Sequence, residues 1–335
     1  MKKVTLQEIA NSLGISRTTV WKVFSGHEGV SDSLRTRVIA KAQELGYAIP
    51  EDFQYPQSAE ETTPVNIAVA VCRPETSLFW MTIIHQIAKV FSTHNVNLVY
   101  TYLPTSADKT YFLPPTLTNG NVHGIIVLNV YNERLLRLLA ETQIPKVFLD
   151  TSSLVAPDEL NGDLLLMESR TSVRRITSHL LEQGRTLPGF IGDIGYAQSN
   201  RERYEGFCQA LTVDSSLCLT TPLGIDTYRE EIDTFLSSLS RMPDAFVCAS
   251  DYVACILMQL LEKRGLRVPE DVAVSGFDNN TEDLLAEHLT TVQVFNEELG
   301  ARLALQILYR IKYPNTPHEI TYLGTNVLYR DSTGD

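Results

Sequence analysis

From Val65 to Gln293 the chain repeats one pattern, a short and almost wholly apolar run followed by an amphipathic stretch, and few folds accept it. VNIAVAVC (65–72), VNLVYTY (96–102), GIIVLNV (124–130) and PKVFLD (145–150) read as buried strands, with helices expected near 79–94, 106–119 and 132–142. A second series has DLLLM, PGFIGD, DAFVCAS and VAVSGF as strands, with helices near 169–184, 200–212, 228–240 and 252–265. Strands without a polar face must be covered on both sides, which crossover helices achieve over a parallel sheet. Two series therefore predict two α/β lobes, and a chain of 335 residues is long enough for more than one core.

Residues 4–47 follow a different rule. Thr5 and Glu8 form a T-x-x-E capping box, after which Leu6, Ile9, Ala10 and Leu13 recur at helical spacing. Gly14 stops that helix, Ile15 re-enters the core, and Ser16 caps a second helix whose Val20, Val23 and Phe24 share one face. Ser31 caps a third, with Leu34, Val38, Ala42 and Leu45 expected to close the core and Gly46 to end it. Two helices joined by so tight a turn make a helix-turn-helix.

The exposed face of the second helix carries Thr18, Trp21, Lys22 and Ser25, with Arg17 beside them, and these groups suit a major groove. Arg17 can bridge guanine O6 and N7, Thr18 can meet a base edge or a thymine methyl, and Lys22 can reach a guanine or a phosphate. Trp21 has two uses open to it, an indole N–H donated to phosphate or a ring laid over the small core. Thr5, Ser16 and Thr19 complete the candidate DNA-contacting set.

A net charge of −12 argues against nucleic acid until its distribution is read. Residues 1–50 carry +3 and the remainder −15, so attraction to phosphate is confined to the head. Residues 48–64 hold three prolines and four acids, and no Lys or Arg occurs from 42 through 72, which reads as a linker. The organisation expected is a head at 1–47, a linker at 48–64 and a body at 65–335. The five cysteines form no C-x-x-C pair and the seven histidines no ligand spacing, so reduced thiols and no metal or other cofactor are expected. Without an export signal or an apolar run able to span a bilayer, the expected location is cytoplasmic, away from membranes.

Ligands of open parallel sheets bind beyond the carboxyl ends of the strands. There stand Asp150 after PKVFL, Ser250 and Asp251 after DAFVCA, and Asp278 after VAVSGF, with Arg201 just past PGFIGD. Carboxylates and a guanidinium can bind vicinal hydroxyls, and Phe79 or Trp80 can stack on the apolar face of a sugar. Each has a plainer use: an Asp in Asp251's place commonly caps the helix behind it, and Phe79 or Trp80 can be core or contact a second copy. Arg201 and Arg203 lie two apart, so one faces the cleft and the other pairs at the surface.

In the head, V-T-L-x-x-I-A, L-G-I-S-x-x-T-V, V-S and L-G-Y together resemble the lactose/galactose repressor (LacI/GalR) family. In the body RERYEGF (201–207), ASD (249–251), LEKRGLRVPEDVAVSGFDN (261–279) and LTTVQ (289–293) resemble that family's periplasmic-binding-protein-like domain. The resemblance implies a ligand-responsive transcription regulator that binds a near-palindromic operator in double-stranded DNA as a homodimer, with a sugar or sugar derivative as effector. It also implies that Asp150, Arg201 and Asp278 contact the effector, with Phe79 in the aromatic region. Three crossings between lobes follow from the same fold, with the first lobe near 65–160 and 294–319 and the second near 161–291 and 320–331.

The chain departs from the family in three places. Nothing after Tyr47-Ala48-Ile49-Pro50 fits the Ala-Arg-x-Leu hinge helix that wedges the minor groove, and the acids there would repel phosphate. Glu168-Ser169 stand where Asp-Asn is common, and Ser250 where Asn is. Two other functions fit parts of the chain: a receptor without sequence-specific DNA binding, and a doubly wound enzyme. The enzyme's best support, GFIGDIG (189–195), has G-x-x-G-x-x-G spacing instead of the dinucleotide fingerprint.

Overall fold

A computed structural model describes residues 4–25, 30–47, 64–73, 77–224, 226–279 and 287–335. The expected linker and its missing hinge motif, at 48–63, lie outside the described residues. The chain divides into two compact units, 1–63 and 64–335.

The first unit is built from α1 (Leu6–Leu13), α2 (Arg17–Phe24) and α3 (Asp32–Glu44). Its helices start where the caps say they should. The Glu8 N–H donates to Thr5 Oγ1 while Glu8 Oε2 accepts from the Thr5 N–H at 2.8 Å; Ser16 Oγ accepts from the Thr19 N–H at 3.0 Å. Gly14, at φ 66°, turns the chain in the left-handed region, where a side chain would be strained. Ile9, Ala10, Val20, Val23, Val38, Ile39 and Ala42 form the core. Leu45 corrects the expectation: it caps α3 and is 37% exposed, while Ile39, nearly two turns earlier, takes the buried position.

The second unit holds two parallel sheets. The first has strands β1 (Val65–Val71), β2 (Val96–Tyr102), β3 (Gly124–Leu128), β4 (Lys146–Leu149) and β5 (Asp163–Met167), with α4 (Leu78–Phe91) and α5 (Glu133–Glu141) between them. The second has β6 (Pro188–Ile191), β7 (Cys218–Leu219), β8 (Ala245–Cys248) and β9 (Ala273–Ser275). Around these run α6 (Arg170–Glu182), α7 (Gln198–Ala210), α8 (Tyr228–Ser238) and α9 (Asp251–Lys263). After β10 (Thr291–Gln293), α10 (Asn296–Lys312) returns to pack on α4, and β11 (Ile320–Leu323) joins the first sheet before β12 (Asn326–Leu328) pairs antiparallel with β10.

Strand order is β11-β5-β4-β3-β1-β2 in the first sheet and β7-β6-β8-β9 in the second. DLLLM therefore ends the first series and does not open the second, and residues 320–323 belong to the first lobe, not the second. Such pairing is non-local: β11 meets β5 across 156 residues (Ile320 with Leu164), which no local pattern encodes. VNLVYTY is an edge strand with Tyr100 and Tyr102 half exposed, not a buried one. The helix expected at 106–119 is absent, because Pro114-Pro115 cannot continue one; a short 3-10 turn at Pro115–Leu117 stands there.

Two helices of the second lobe lie in close contact. At Gly206, within the RERYEGF stretch, an added Cβ would fall 2.2 Å from the Arg170 carbonyl oxygen, so only glycine lets α7 lie on the start of α6. α6 follows the first crossover, so this contact holds α7 against the first helix of the second lobe.

Candidate functional site

On α2, Thr18, Trp21, Lys22 and Ser25 fall at i, i+3, i+4 and i+7, one stripe. Arg17 and Thr18 are exposed, Trp21 is 47% exposed, Lys22 is half-buried, and Ser25 caps the helix end. Ser16 and Thr19 share a hydroxyl–hydroxyl bond of 2.8 Å at the same N-terminus. Thr5 caps α1. The stripe thus presents hydroxyl, indole and ammonium groups beside a helix N-terminus whose partial positive charge favours phosphate.

In the second unit the carboxyl ends of both sheets face one cavity of about 220 Å³, smaller than the roughly 300–1,000 Å³ of drug-sized sites. Phe79 and Trp80 line it from α4 and pack edge to face at 4.9 Å. Asn129, Tyr131, Asp150 and Met167 come from the first sheet's strand ends, and Ser199, Asn200, Arg203, Ser250, Tyr252 and Asp278 from the second lobe. Asn129 (φ 54°), Asp150 (φ 62°) and Asp278 (φ 110°) all hold left-handed backbone, and such strain gathers where ligands are clamped.

The electrostatics centre on Arg203, which is 4% exposed. Its guanidinium lies 3.7 Å from the centre of the Phe277 ring, donates to the Ala249 carbonyl and reaches Asp278 Oδ1 at 3.3 Å. Burial pushes the Asp278 carboxyl up to about 6, against the pull of Arg203. Burial also raises Asp150, opposed by the Ser199 hydroxyl at 2.6 Å and the Thr151 N–H at 2.8 Å. Two carboxyl groups, one guanidinium and several aromatic faces suit a ring bearing several hydroxyls.

Asp150 also ties the lobes together. The Ser199 bond crosses between them, as do Gln198 N–H to Thr151 carbonyl (2.8 Å), Tyr322 hydroxyl to Glu202 (2.7 Å) and the Tyr131–Tyr196 ring pair (4.5 Å). Arg201 joins these ties by donating to Ser153 Oγ at 3.3 Å and does not line the cavity. The expectation for it is corrected to Arg203, because the pitch of α7 turns residue 203 inward. Asp251 is likewise not in the cavity wall; it is buried and its Oδ1 accepts from Thr291 Oγ1 at 2.6 Å. Ser250 does both jobs, lining the cavity and capping α9 through the Val253 N–H.

Asn129 ends GIIVLN as Asp150 ends PKVFLD, so the rule that found Asp150 finds it too. Tyr131, Tyr196, Tyr228 and Tyr252 had no such signal, since a tyrosine near a strand end is also ordinary surface. Among the described residues no group of three or more His, Cys, Asp or Glu could hold a metal ion, and no helix is long and apolar enough to cross a membrane.

Residues 5–50 match the model of bacterial regulatory proteins of the lacI family, and residues 177–333 that of a periplasmic binding protein-like domain. The HTH-type transcriptional repressor PurR of Vibrio cholerae serotype O1 is 25% identical over 339 residues, covering 99% of this chain and 98% of that one. Among solved structures, the transcriptional regulator CelR–cellobiose complex superposes with a TM-score of 0.71 at 24% identity, over 98% of this chain and 100% of that one. The lac repressor dimer bound to operator and the anti-inducer ONPF gives 0.68 at 22% identity, over 99% of each. The matched head model and the relatives make this a DNA-binding transcription regulator. By these matches the chain carries a lacI-type helix-turn-helix head and a periplasmic-binding-protein-like body.

Proposed function

We propose that the protein is a cytoplasmic repressor of a carbohydrate-utilisation operon, binding a near-palindromic operator as a homodimer under control of a sugar or sugar derivative. One recognition helix reads only a few base pairs, whereas two related by a dyad read successive major grooves. Arg17, Thr18 and Lys22 read bases, while Thr5, Ser16, Thr19, Trp21 and Ser25 hold the helix against the backbone. The effector lies between Phe79–Trp80 and the polar group of Asp150, Arg203, Ser250 and Asp278. We assign residues 1–47 to DNA and 65–335 to the effector.

The observation that carries this reading is the cavity's composition, two carboxylates and a guanidinium among aromatic rings, joined in one chain to a basic helix-turn-helix. The names of the relatives support it: one is a repressor, one is complexed with cellobiose, and one is a dimer on its operator.

Selecting bound duplexes from a randomised library with the full-length protein at fixed salt tests the DNA side. The expected result is two inverted half-sites, with Arg17→Ala lowering affinity for the selected site by roughly 10-fold to 100-fold and relaxing preference at one base pair per half-site. A site unchanged by Arg17→Ala removes Arg17 from base reading, and an unenriched library removes sequence-specific binding altogether.

A further inference from the structure

Most of the ties between the lobes gather around Asp150 and its neighbours Thr151 and Ser153. The Tyr322–Glu202 bond stands apart from these, beside the crossing that follows β11, and neither residue lines the cavity. Tyr322 is on β11 in the first lobe and Glu202 on α7 in the second, and the Tyr322 hydroxyl donates to Glu202 Oε1 at 2.7 Å. Glu202 is 2% exposed, so a buried carboxylate receives this bond, which is of the strong, charge-assisted kind. The crossing itself is stitched. Thr325 Oγ1 donates to the Glu168 carbonyl at 2.8 Å and shares a bond of 2.9 Å with Ser172 Oγ, while the Glu168 carboxylate accepts from the Thr171 N–H at 2.6 Å.

Glu202 has a second partner in its own lobe. Arg170, at the start of α6, holds Nη2 4.0 Å from the same Glu202 oxygen while donating to Glu205. Its Nε is buried with no hydrogen-bond partner among the described residues, so the guanidinium has donor capacity to spare. When the lobes part, the Tyr322 hydroxyl passes to water, which already reaches half of that side chain, and Glu202 stays neutralised by closing the 4.0 Å gap to Arg170. Neither position strands a buried charge. A carboxylate with one partner in each lobe is therefore an element with two discrete arrangements.

We propose that Tyr322 and Glu202 are the positioning residues of a latch: with Glu202 on Tyr322 the lobes are held closed, and with Glu202 on Arg170 they are free to part about the stitched crossing. A ligand held by both walls of the cavity binds in proportion to the closed fraction, so the latch sets effector affinity without touching the effector. That consequence rests on the reading that the effector lies in the inter-lobe cavity, whereas the latch itself needs no ligand. As a hydrogen bond to a charged acceptor, the Tyr322 contact changes the closed-to-open ratio by about 10-fold to 100-fold.

Acrylamide quenching of Trp80 fluorescence in the full-length protein, with no ligand added, tests it. Trp80 lines the cavity, so parting the lobes opens it to the quencher, and Trp21→Phe removes the chain's one other tryptophan. In that background Tyr322→Phe is expected to raise the quenching constant at least about twofold. Adding Arg170→Gln takes away the partner of the open position and is expected to return at least about half of that rise. Both side chains are well exposed, at 49% for Tyr322 and 43% for Arg170, so the fold survives their replacement. Bonds that merely stabilised the fold would give the opposite sign, the second change adding to the first. A smaller rise, or a smaller return, overturns the latch and leaves the effector reading standing. Failure of the effector reading shows elsewhere, as operator binding that ignores every sugar while the quenching results hold.

Discussion

Asp163→Ala is expected to lower the melting temperature of the body by roughly 10 °C. Asp163 opens β5 and is 1% exposed, and both its oxygens are occupied. Arg310 on α10 reaches it through Nη2 at 2.5 Å and Nε at 3.1 Å, Gln306 at 2.6 Å and the Glu319 N–H at 2.9 Å. The carboxylate thus pins α10 and the approach to β11 onto the strand that leads to the first crossover. Removing it leaves a guanidinium 2% exposed with no countercharge, a loss of about 3–5 kcal/mol. Arg310 keeps its bonds to the Thr316 and Pro317 carbonyls, so the chain still folds. Adding Arg310→Met should recover part of the loss, because the stranded charge is then gone. Differential scanning calorimetry of the three proteins decides it, and a shift below about 2 °C for Asp163→Ala would show that the pair contributes little.

Asp278→Asn is expected to move function and stability in opposite directions. Its carboxyl ionises near 6 in the fold, against about 3.9 when unfolded, so the fold favours the neutral form. A raised value contributes stability that is complete below about pH 3.9 and is lost as pH rises through about 6. At pH 7.5 the ionised carboxylate is therefore a burden, and an amide removes it while still accepting from Arg203. The gain is about 1–3 kcal/mol at pH 7.5, with the opposing pull of Arg203 already included, and should vanish near pH 4. Effector affinity should meanwhile fall about 10-fold to 100-fold, the worth of a hydrogen bond to a charged acceptor. Wild-type affinity should also weaken as pH drops through about 6, and the variant's should stay flat. Thermal melts and titrations at pH 4, 5.5 and 7.5 read both arms; a variant less stable than wild type at pH 7.5 contradicts the burial argument.

What the sequence made legible was local. The head's caps, its turn at Gly14 and the buried stripe of α2 are each set by residues within four of one another, and the structure has them where the sequence puts them. The alternation of strand and helix is equally readable, apart from 106–119, where Pro114-Pro115 overrides helical spacing. Sheet membership was not readable, because DLLLM looks the same whichever lobe it completes. The cleft was half readable. Strand ends gave Asp150, Ser250 and Asp278, but the choice between Arg201 and Arg203 depends on the rotation of α7 against α6, fixed by packing at Gly206. Asp163 and Arg310, 147 residues apart, gave no sign of each other. Lys146 gave none either: it sits inside what reads as an apolar strand, donates to the Thr142 and Asn161 carbonyls, and burial lowers its ammonium to about 8.

The central claim is that a molecule in the body's cleft changes how the head holds DNA. The most direct measurement is fluorescence anisotropy of the selected operator duplex against the full-length protein, with and without the tightest-binding sugar at saturation. The sugar is expected to shift operator Kd by at least about fivefold, and saturating operator to shift sugar Kd by the same factor, as linkage requires. Two affinities that ignore each other would contradict it.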